Sequence, residues 1–266
     1  MTYKAYKSSN SSKLIDEYFE FKVSNKALPF QSIVLPLGKH SLAYTYKGEN
    51  KLTVNNKNYS GKGLIVTGQT TRSYKLNVDE NTKCCGVLFH PTTFYKLTHL
   101  DVSKINDKHL PLNEVSQALF NILNPFFQQK HKGKKALHTL EELINTLPLK
   151  IDNHTENIDK AISIINKKQG QISINELIEK IPTSQKTLET RFKQIVGLTP
   201  KKYARLYRFS LLMRKYHEKE LKIIDLVRMY NFHDSSHFSK EFKYFMKKSP
   251  KSYFSDESEF IKKYLK

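Results

Sequence analysis

The sequence predicts an α+β protein in which an antiparallel β barrel or sandwich with flanking helices precedes an all-α domain of two similar helical units. Three observations support this fold class. Large side chains alternate between turn-forming residues across residues 30–90, which predicts short strands. From Leu112 onward, hydrophobic residues recur at helical spacing. In the C-terminal part, one pattern of residues returns after 50 positions, which indicates an internal repeat.

The composition is that of a folded protein with an anionic partner. With 266 residues, 38% of them hydrophobic, the chain is long enough for two domains with packed cores. Lys and Arg number 45 against 25 Asp and Glu, a net charge of +20, which predicts binding to nucleic acid or an anionic membrane surface. Residues 160–254 hold 21 basic and 8 acidic residues, whereas residues 1–159 hold 21 and 14. The charge therefore indicates a basic binding domain joined to a more neutral domain.

The N-terminal sequence and the cysteines bear on where the protein is found. Residues 1–13 contain no apolar run typical of a secretory signal, and no stretch approaches the roughly 18 apolar residues that cross a bilayer. We therefore expect a cytoplasmic protein with no membrane partner. Two cysteines exclude a disulfide scaffold and a Cys-rich zinc module. The neighbours Cys84 and Cys85 are predicted to be reduced thiols on opposite faces of a strand.

The N-terminal half has the period of two that is typical of strands. Larger side chains fall on alternate positions from residue 42 to residue 46, and Leu52 alternates with Val54. Turn-forming residues such as Asn55-Asn56 separate these segments. The pattern predicts a cupin-like barrel or sandwich that either encloses a small-ligand pocket or has an ordinary filled core. The His-x-His cluster of a metal-binding cupin is absent from the sequence, so neither a metal nor another cofactor is predicted.

The region between the two halves is predicted to be helical. Its apolar residues at helical spacing are Val115, Leu119, Ile122 and Leu123, then Leu137, Leu140, Ile144 and Leu147. Pro125 and Gly133 are expected to break the region into at least two helices, because proline removes a helical hydrogen bond and glycine weakens a helix. These helices are either a dimerisation face or a spacer.

The C-terminal half contains recognisable beginnings and ends of helices. Ser173 and Glu176 have the spacing of a capping box, and Ser184 is placed to cap the next helix. Gly197 stands where that helix would end in a left-handed conformation. Thr199-Pro200 would start a further helix, since proline is tolerated in the first turn.

The same pattern returns 50 residues later. The matched residues are Ser184 and Asp234, Leu188 and Phe238, Phe192-Lys193 and Phe242-Lys243, Pro200-Lys201 and Pro250-Lys251, and Tyr203 and Tyr253. Such a repeat predicts two helix–turn–helix units. The second helix of each unit is short, capped and polar on its outer face, as a helix that enters the major groove of DNA must be. Two such helices about 34 Å apart, one turn of the duplex, would enter successive grooves.

The most specific residues of this repeat lie in the second unit, in segments 223–227, 231–243 and 249–253. Through these segments above all, residues 158–254 resemble the DNA-binding domain of AraC/XylS-type transcriptional regulators. The sequence departs from that family at several positions. Ile178 and Val227 stand where Ala is usual, and Pro182, Asn231 and Lys247 stand where Gly is usual. The larger residues imply wider spacing between helices and leave open whether the two units bind DNA equally.

The resemblance implies two sets of DNA contacts. The residues that would face base edges are Lys186, Glu189 and Thr190 in the first unit, and Ser235, Ser236, His237, Ser239 and Lys240 in the second. The residues that would contact phosphates are Lys193, Lys201, Lys202, Lys243, Lys248 and Lys251. The side chains suit these roles, because Lys donates to guanine acceptors and Glu accepts a hydrogen bond from cytosine N4. A Ser hydroxyl can donate to a base or accept from it. Each lysine alone is equally well explained as a solvated surface charge.

The N-terminal half is similar, through fewer residues, to the β-rich sensor domain of such regulators. The matching segments are 6–10, 68–69 and 87–91. The resemblance implies that this domain binds a small-molecule effector of unknown identity and that the flanking helices form a homodimer. It also implies double-stranded DNA as a partner, and RNA polymerase as well if the protein is an activator. The sequence does not determine whether the protein activates or represses.

Other chemistries lack their sequence motifs. His233 and His237 have the i, i+4 spacing of a zinc pair, but Asp234 stands in place of Glu and is predicted to cap a helix instead, so no metal site is expected. Neither a Gly-x-Ser-x-Gly motif nor a phosphate-binding loop is present in the sequence. AraC-type domains also occur fused to DNA-repair alkyltransferases, but Cys84-Cys85 lacks the Pro-Cys-His context that those need. No segment has the broad apolar face with a lysine rim that binding to a membrane surface requires.

Together these features predict a sequence-specific DNA-binding transcriptional regulator and not an enzyme. Its predicted parts are a β-rich sensor-like domain at 1–110, a helical connector or dimerisation segment at 111–157, a DNA-binding domain at 158–255 and a tail at 256–266. The N-terminal domain is expected to sense a ligand or to dimerise. The alternative is a small-molecule-binding or enzymatic barrel with an accessory DNA tether.

Overall fold

The computed structural model describes residues 1–8, 14–129, 132–218, 223–230 and 234–255, together with Ile261, Tyr264 and Leu265. Predictions that fall on residues 9–10 and 231–233, and on most of the tail, lie outside these residues. Buried hydrophobic side chains from both halves of the described chain form one contiguous core.

The strands of the described chain form two antiparallel sheets. The larger sheet has the order β1-β2-β9-β4-β7-β10 and the smaller sheet has the order β3-β8-β5-β6. The strands are β1 (Thr2–Lys7), β2 (Ile15–Val23), β3 (Phe30–Val34), β4 (Ser41–Lys47), β5 (Lys51–Val54), β6 (Lys57–Ser60), β7 (Gly63–Thr67), β8 (Tyr74–Val78), β9 (Thr82–Phe89) and β10 (His109–Pro111). The predicted antiparallel β domain is confirmed, and its two sheets do not close into a barrel.

The hairpin between β5 and β6 explains why Asn55-Asn56 is a turn. Val54 pairs with Lys57, so the loop has only two residues. Asn55 and Asn56 have φ angles of 48° and 64°, the left-handed conformation that a type I′ turn needs at both positions. Asparagine tolerates this conformation better than other residues with a side chain, because its amide can form local hydrogen bonds.

The α-helices of the described chain follow β9, and the first of them precedes β10. They are α1 (Thr93–Thr98), α2 (Leu112–Val115), α3 (Gln117–Gln128), α4 (Gly133–Asn145), α5 (Asn153–Lys167), α6 (Ile174–Ile178), α7 (Gln185–Val196), α8 (Pro200–His217), α9 (Ile223–Met229), α10 (Ser235–Met246) and α11 (Pro250–Phe254). A 3-10 turn at Val102–Ile105 precedes β10. The predicted helical C-terminal domain is confirmed.

The prediction that Pro125 breaks the connector is wrong. Helix α3 continues to Gln128 with Pro125 inside it. A proline in a helix interior costs about 3 kcal/mol. Phe126 and Phe127 follow it with only 5% and 1% of their surface exposed, and each buried Phe contributes roughly 2–3 kcal/mol. Burial of the two rings therefore offsets the hydrogen bond that Pro125 removes.

Helices α3 and α4 cover one face of the larger sheet. The Phe127 ring lies 6.1 Å from the ring of Tyr44 in β4. At the start of α4, the Gly133 N–H donates to Glu20 Oε1 of β2 over 2.8 Å. The connector thus packs on the β domain of its own chain, and the Ile122 side chain, 39% exposed, stays on the surface of α3.

The opposite face of the larger sheet carries small residues in β4 and at one position of β9. In β4 the residues on that face are Ser41, Ala43 and Thr45, whereas Tyr44 points toward the helices. In β9, Gly86 lies under the Phe19 ring, and a Cβ there would come within 2.5 Å of Phe19 Cζ and 2.2 Å of a backbone oxygen. These small residues leave a cavity of about 100 Å³ between the sheets.

Candidate nucleic-acid interface

Helices α7 and α10 occupy equivalent places in the two repeats. Gln185–Val196 and Ser235–Met246 both have twelve residues, and both ends are related by the same shift of 50. Each helix is therefore the second helix of a helix–turn–helix unit, preceded by α6 in the first unit and by α9 in the second. We call α7 and α10 the recognition helices.

A side-chain cap fixes the start of each recognition helix. The Thr187 N–H donates to Ser184 Oγ over 3.2 Å, and the His237 N–H donates to Asp234 Oδ1 over 2.6 Å. Such a cap satisfies an amide that the helix itself leaves unpaired. The predicted caps at Ser184 and Asp234 are both present, and so is the capping box of Ser173 with Glu176.

One face of each recognition helix is buried. The buried pairs related by the repeat are Leu188 and Phe238, Phe192 and Phe242, Ile195 and Phe245, and Val196 and Met246. The Phe209 ring of α8 stacks on the ring of Phe245 at 4.6 Å and meets Phe242 edge-on at 5.7 Å. Burial of this apolar stripe forces the polar face of each recognition helix toward solvent.

The residues predicted to face bases lie on that solvent face. The exposed ones are Lys186, Thr190, Ser235, Ser236, His237, Ser239 and Lys240. Glu189 is half-buried, and its Oε1 accepts a hydrogen bond from Gln185 Nε2 over 2.9 Å. This bond uses one lone pair of the carboxylate, so Glu189 keeps further acceptor sites for a base.

The residues predicted to contact phosphates are also exposed: Lys193, Lys201, Lys202, Lys243, Lys248 and Lys251. Two of them follow the prolines that begin α8 and α11, where Thr199 and Ser249 are the caps. The cap contacts run from the Lys202 N–H to Thr199 Oγ1 over 3.4 Å and from the Ser252 N–H to Ser249 Oγ over 3.1 Å.

An ion pair that was missing from the sequence-based prediction ties α10 to α8. Glu241 is only 5% exposed and accepts from Arg205 Nε over 3.1 Å and from Arg205 Nη2 over 2.6 Å. Arg208 Nη2 lies 3.8 Å from the same carboxylate. The bonds to Glu241 raise the pKa of Arg205, whereas burial lowers the pKa of Arg208. The one sequence cue was an acidic residue inside an otherwise basic recognition helix.

Two loops of the β domain hold the C-terminal ends of both recognition helices. We call residues 68–73 and 102–107 the clamp loops. Ser73 donates from its N–H to Phe245 O over 2.7 Å and from its hydroxyl to Met246 O over 2.9 Å. Asn106 Nδ2 donates to the carbonyl of Gly197 at the end of α7. The β domain therefore contacts both units at equivalent places.

The two clamp loops are also bonded to each other. The Thr71 N–H donates to Asp107 Oδ1 over 2.7 Å, and its hydroxyl donates to Asp107 Oδ2 over 2.8 Å. The Arg72 guanidinium lies 4.5 Å above the ring of Tyr244 in α10. One loop is therefore fastened to the other, and each loop contacts the end of one recognition helix.

The departures from the AraC pattern have different outcomes. Lys247 has a φ angle of 56°, so it fills a left-handed position that favours glycine. Pro182 is exposed, beyond the end of α6 at Ile178. Asn231 lies outside the described residues, and so does His233, so the structure does not test the His233/His237 pair.

The Cys84 side chain lines the cavity of the β domain. Burial, helped by the nearby Cys85, raises the pKa of the Cys84 thiol to about 12, so this thiol is protonated at neutral pH. Within the part of the chain that the structure describes, no group of three His, Cys, Asp or Glu side chains could hold a metal ion. The same residues include no helix that is long and apolar enough to span a membrane.

Comparison with known proteins gives two family matches. Residues 177–262 match the model of a helix-turn-helix domain, and residues 10–111 match that of a domain of unknown function, DUF6597. No curated protein matches the chain.

Solved structures with a similar fold include an apo variant of ToxT from Vibrio cholerae, which is 15% identical with a TM-score of 0.50. That match covers 93% of this chain and 99% of the other. ToxT from Vibrio cholerae bound to (E)-4-(8-methylnaphthalen-1-yl)but-3-enoic acid is 15% identical with a TM-score of 0.49, covering 98% of this chain and 100% of the other. The first likeness shows the two-domain fold. The paired recognition helices and the matched family model together show a helix–turn–helix domain in the C-terminal part of the chain, and a β-sheet domain precedes it.

Proposed function

We propose that the protein binds specific DNA sequences by placing α7 and α10 in two successive major grooves. The observation that carries this proposal is the identical length and phase of the two capped helices, whose polar faces are exposed at equivalent positions. Lys186, Glu189 and Thr190 would contact bases in one groove. Ser235, Ser236, His237, Ser239 and Lys240 would contact bases in the next.

The lysines beside the recognition helices would hold the duplex by its phosphates. These residues are Lys193, Lys201, Lys202, Lys243, Lys248 and Lys251, all of them exposed. Each phosphate contact releases counterions, so binding should weaken steeply as salt rises. Contacts of this kind fix the position of the protein on DNA, while contacts to base edges supply specificity.

The β domain would regulate this binding. Strands β7 and β8 both contribute to the wall of the cavity, through residues such as Thr67 and Tyr74. The clamp loop 68–73 joins these two strands directly and bonds to the end of α10. A small molecule that moved the cavity wall would therefore move a loop that holds a recognition helix. We extend the proposal to a sensor domain at 1–110, a connector or homodimer interface at 111–157, a DNA-binding domain at 158–255 and contact with RNA polymerase if the protein activates.

Selection of bound duplexes from a random library tests the proposal. The full chain should enrich two short motifs about 10 base pairs apart, and bind the enriched duplex at least about 10³-fold tighter than its scrambled version at fixed salt. Lys4→Ala is the matched control, since Lys4 is an exposed lysine in β1, outside the candidate interface. Equal binding to the two duplexes would show a general polyanion surface and contradict sequence-specific recognition.

A further inference from the structure

Polar and aromatic side chains both line the cavity between the sheets. The polar ones include Ser41, Thr45, Asn50 and Thr67. The aromatic ones are Tyr3, Phe19, Phe21, Tyr74 and Tyr264. Among the described residues that line the cavity there is no Lys, Arg or His. The site therefore suits an uncharged molecule with an aromatic ring and one or two hydrogen-bonding groups.

One of these rings comes from the far end of the chain. The Tyr264 ring lies 5.8 Å from the ring of Tyr3, at an interplanar angle of 71°. Its neighbours Ile261 and Leu265 are 1% and 2% exposed, and the Leu265 N–H donates to Ile261 O over 3.1 Å. Burial and the charge of Glu17 raise the pKa of Tyr264, as expected for a phenol held inside the domain. Tyr264 is thus packed into the β domain, and the two described tail residues near it are buried.

The cavity that remains beside Tyr264 is small. An apolar cavity of about 150 Å³ holds one benzene molecule, and about 100 Å³ is left here. A ligand larger than a benzene ring therefore needs the space that the Tyr264 side chain fills. Only six residues separate Ile261 from Phe254, the last residue of α11. Displacement of Tyr264 would thus detach the second helix–turn–helix unit from one of its contacts with the β domain.

We infer that the inter-sheet cavity is a binding site for an uncharged aromatic small molecule, and that Tyr264 of the chain's own tail competes with this molecule for the site. The consequence for DNA binding rests on the proposed function, whereas the competition itself does not. When Tyr264 leaves the cavity, the second helix–turn–helix unit loses the contact with the β domain that the tail provides. Ligand binding is thereby coupled to the arrangement of α10.

Two adjacent thiols give the competition an internal control. Cys84 lines the cavity, whereas Cys85 faces the other side of β9, where it is hydrogen-bonded to Tyr18. We would measure alkylation by N-ethylmaleimide in Cys85→Ser, which keeps only Cys84, and in Cys84→Ser, which keeps only Cys85. Adding Tyr264→Ala should speed alkylation of Cys84 about tenfold, the factor that corresponds to an aromatic contact of about 1.4 kcal/mol. Alkylation of Cys85 should not change.

A second experiment measures binding of N-phenyl-1-naphthylamine, an uncharged aromatic fluorophore. It distinguishes competition by Tyr264 for the cavity from a change in the shape of the cavity wall. Tyr264→Ala, and a chain ending at residue 255, should bind this probe about tenfold tighter than the full chain. Tyr264→Phe keeps the ring and should match the parent protein. Weaker probe binding in Tyr264→Ala, or an unchanged Cys84 rate, would overturn the inference, because Tyr264 would then be a fixed part of the wall.

The two proposals fail in different ways. If Tyr264→Ala exposes Cys84 while the protein binds all duplexes equally, the competition stands and sequence-specific DNA recognition does not. If the protein binds its selected duplex specifically while Tyr264→Ala changes neither the alkylation rate of Cys84 nor probe binding, the results support sequence-specific DNA recognition and contradict the competition.

Discussion

Gly197 and Lys247 are 50 residues apart and end the two recognition helices in the same left-handed conformation, with φ angles of 93° and 56°. Glycine adopts this conformation without steric cost, whereas a residue with a Cβ carries a penalty of about 1 kcal/mol. Both recognition helices therefore end in the same left-handed backbone geometry. Only the first unit has glycine, the residue that this geometry favours, at that position.

We expect Lys247→Gly to stabilise the second unit by about 0.5–1 kcal/mol, because glycine relieves the backbone penalty. The gain is reduced by the stability that the exposed hydrogen bond from Lys247 Nζ to Asn55 Oδ1 contributes, since the variant loses that bond. Gly197→Ala should have the opposite effect, because its new Cβ would lie 2.5 Å from Asn106 Oδ1. Urea denaturation followed by circular dichroism measures both changes. A loss of stability in Lys247→Gly would show that the contact with Asn55 outweighs the backbone penalty.

Ser73→Ala should loosen the clamp on α10. Ser73 is 2% exposed, so removal of its hydroxyl leaves the Met246 carbonyl without that donor, at a cost of about 1–2 kcal/mol. Hydrogen exchange of amides at the end of α10 should rise about tenfold, since local opening becomes easier. Ser60→Ala, at an exposed position in β6, is the control. Equal exchange in the two variants would mean that the clamp does not restrain α10.

Lysines with different proposed roles should affect DNA binding differently. Lys201→Ala and Lys251→Ala should weaken binding to all sequences alike, and each should reduce the slope of log K against log salt by about 0.9. Lys240→Ala should weaken binding to the selected duplex far more than to random DNA. Fluorescence anisotropy at several salt concentrations gives both quantities. Equal losses on the two duplexes would remove Lys240 from the residues that contact bases.

Acid should destabilise the β domain through two buried histidines. Burial lowers the pKa of His40 and of His109 to about 4, against about 6.5 in an unfolded chain. The unfolded state therefore binds more protons below pH 6.5, and the stability that the neutral rings provide at pH 7 is lost as the pH falls toward 4. Between pH 7 and 5.5, each histidine should lower the free energy of unfolding by about 1 kcal/mol.

Replacement of one histidine checks this linkage. His40→Gln cannot titrate, so its stability should fall by about 1 kcal/mol less over the same pH interval. His138, whose side chain is 73% exposed, provides the control as His138→Gln, which should follow the parent protein. Parallel pH profiles for His40→Gln and the parent protein would show that His40 does not contribute.

The sequence by itself determined the elements and the repeat. Alternation predicted the strands because successive side chains in a strand point to opposite faces, and caps such as Ser184 and Asp234 marked where the recognition helices begin. These signals are local, so a few neighbouring residues carry them completely. The exposure of the predicted DNA-contacting residues follows from the same local periodicity, and their roles stay predictions.

Only the tertiary structure decided which faces meet. Alternation in β4 could not show whether Tyr44 or Thr45 would face the cavity, since this depends on where α3 packs. The prediction for Pro125 is wrong for the same reason, because burial of Phe126 and of Phe127, which lies beside Tyr44 of β4, outweighs the local preference. The pair of Arg205 with Glu241, the clamp bonds of Ser73 and the place of Tyr264 join residues far apart in the chain. Such contacts depend on the packing of whole elements, which no local pattern encodes.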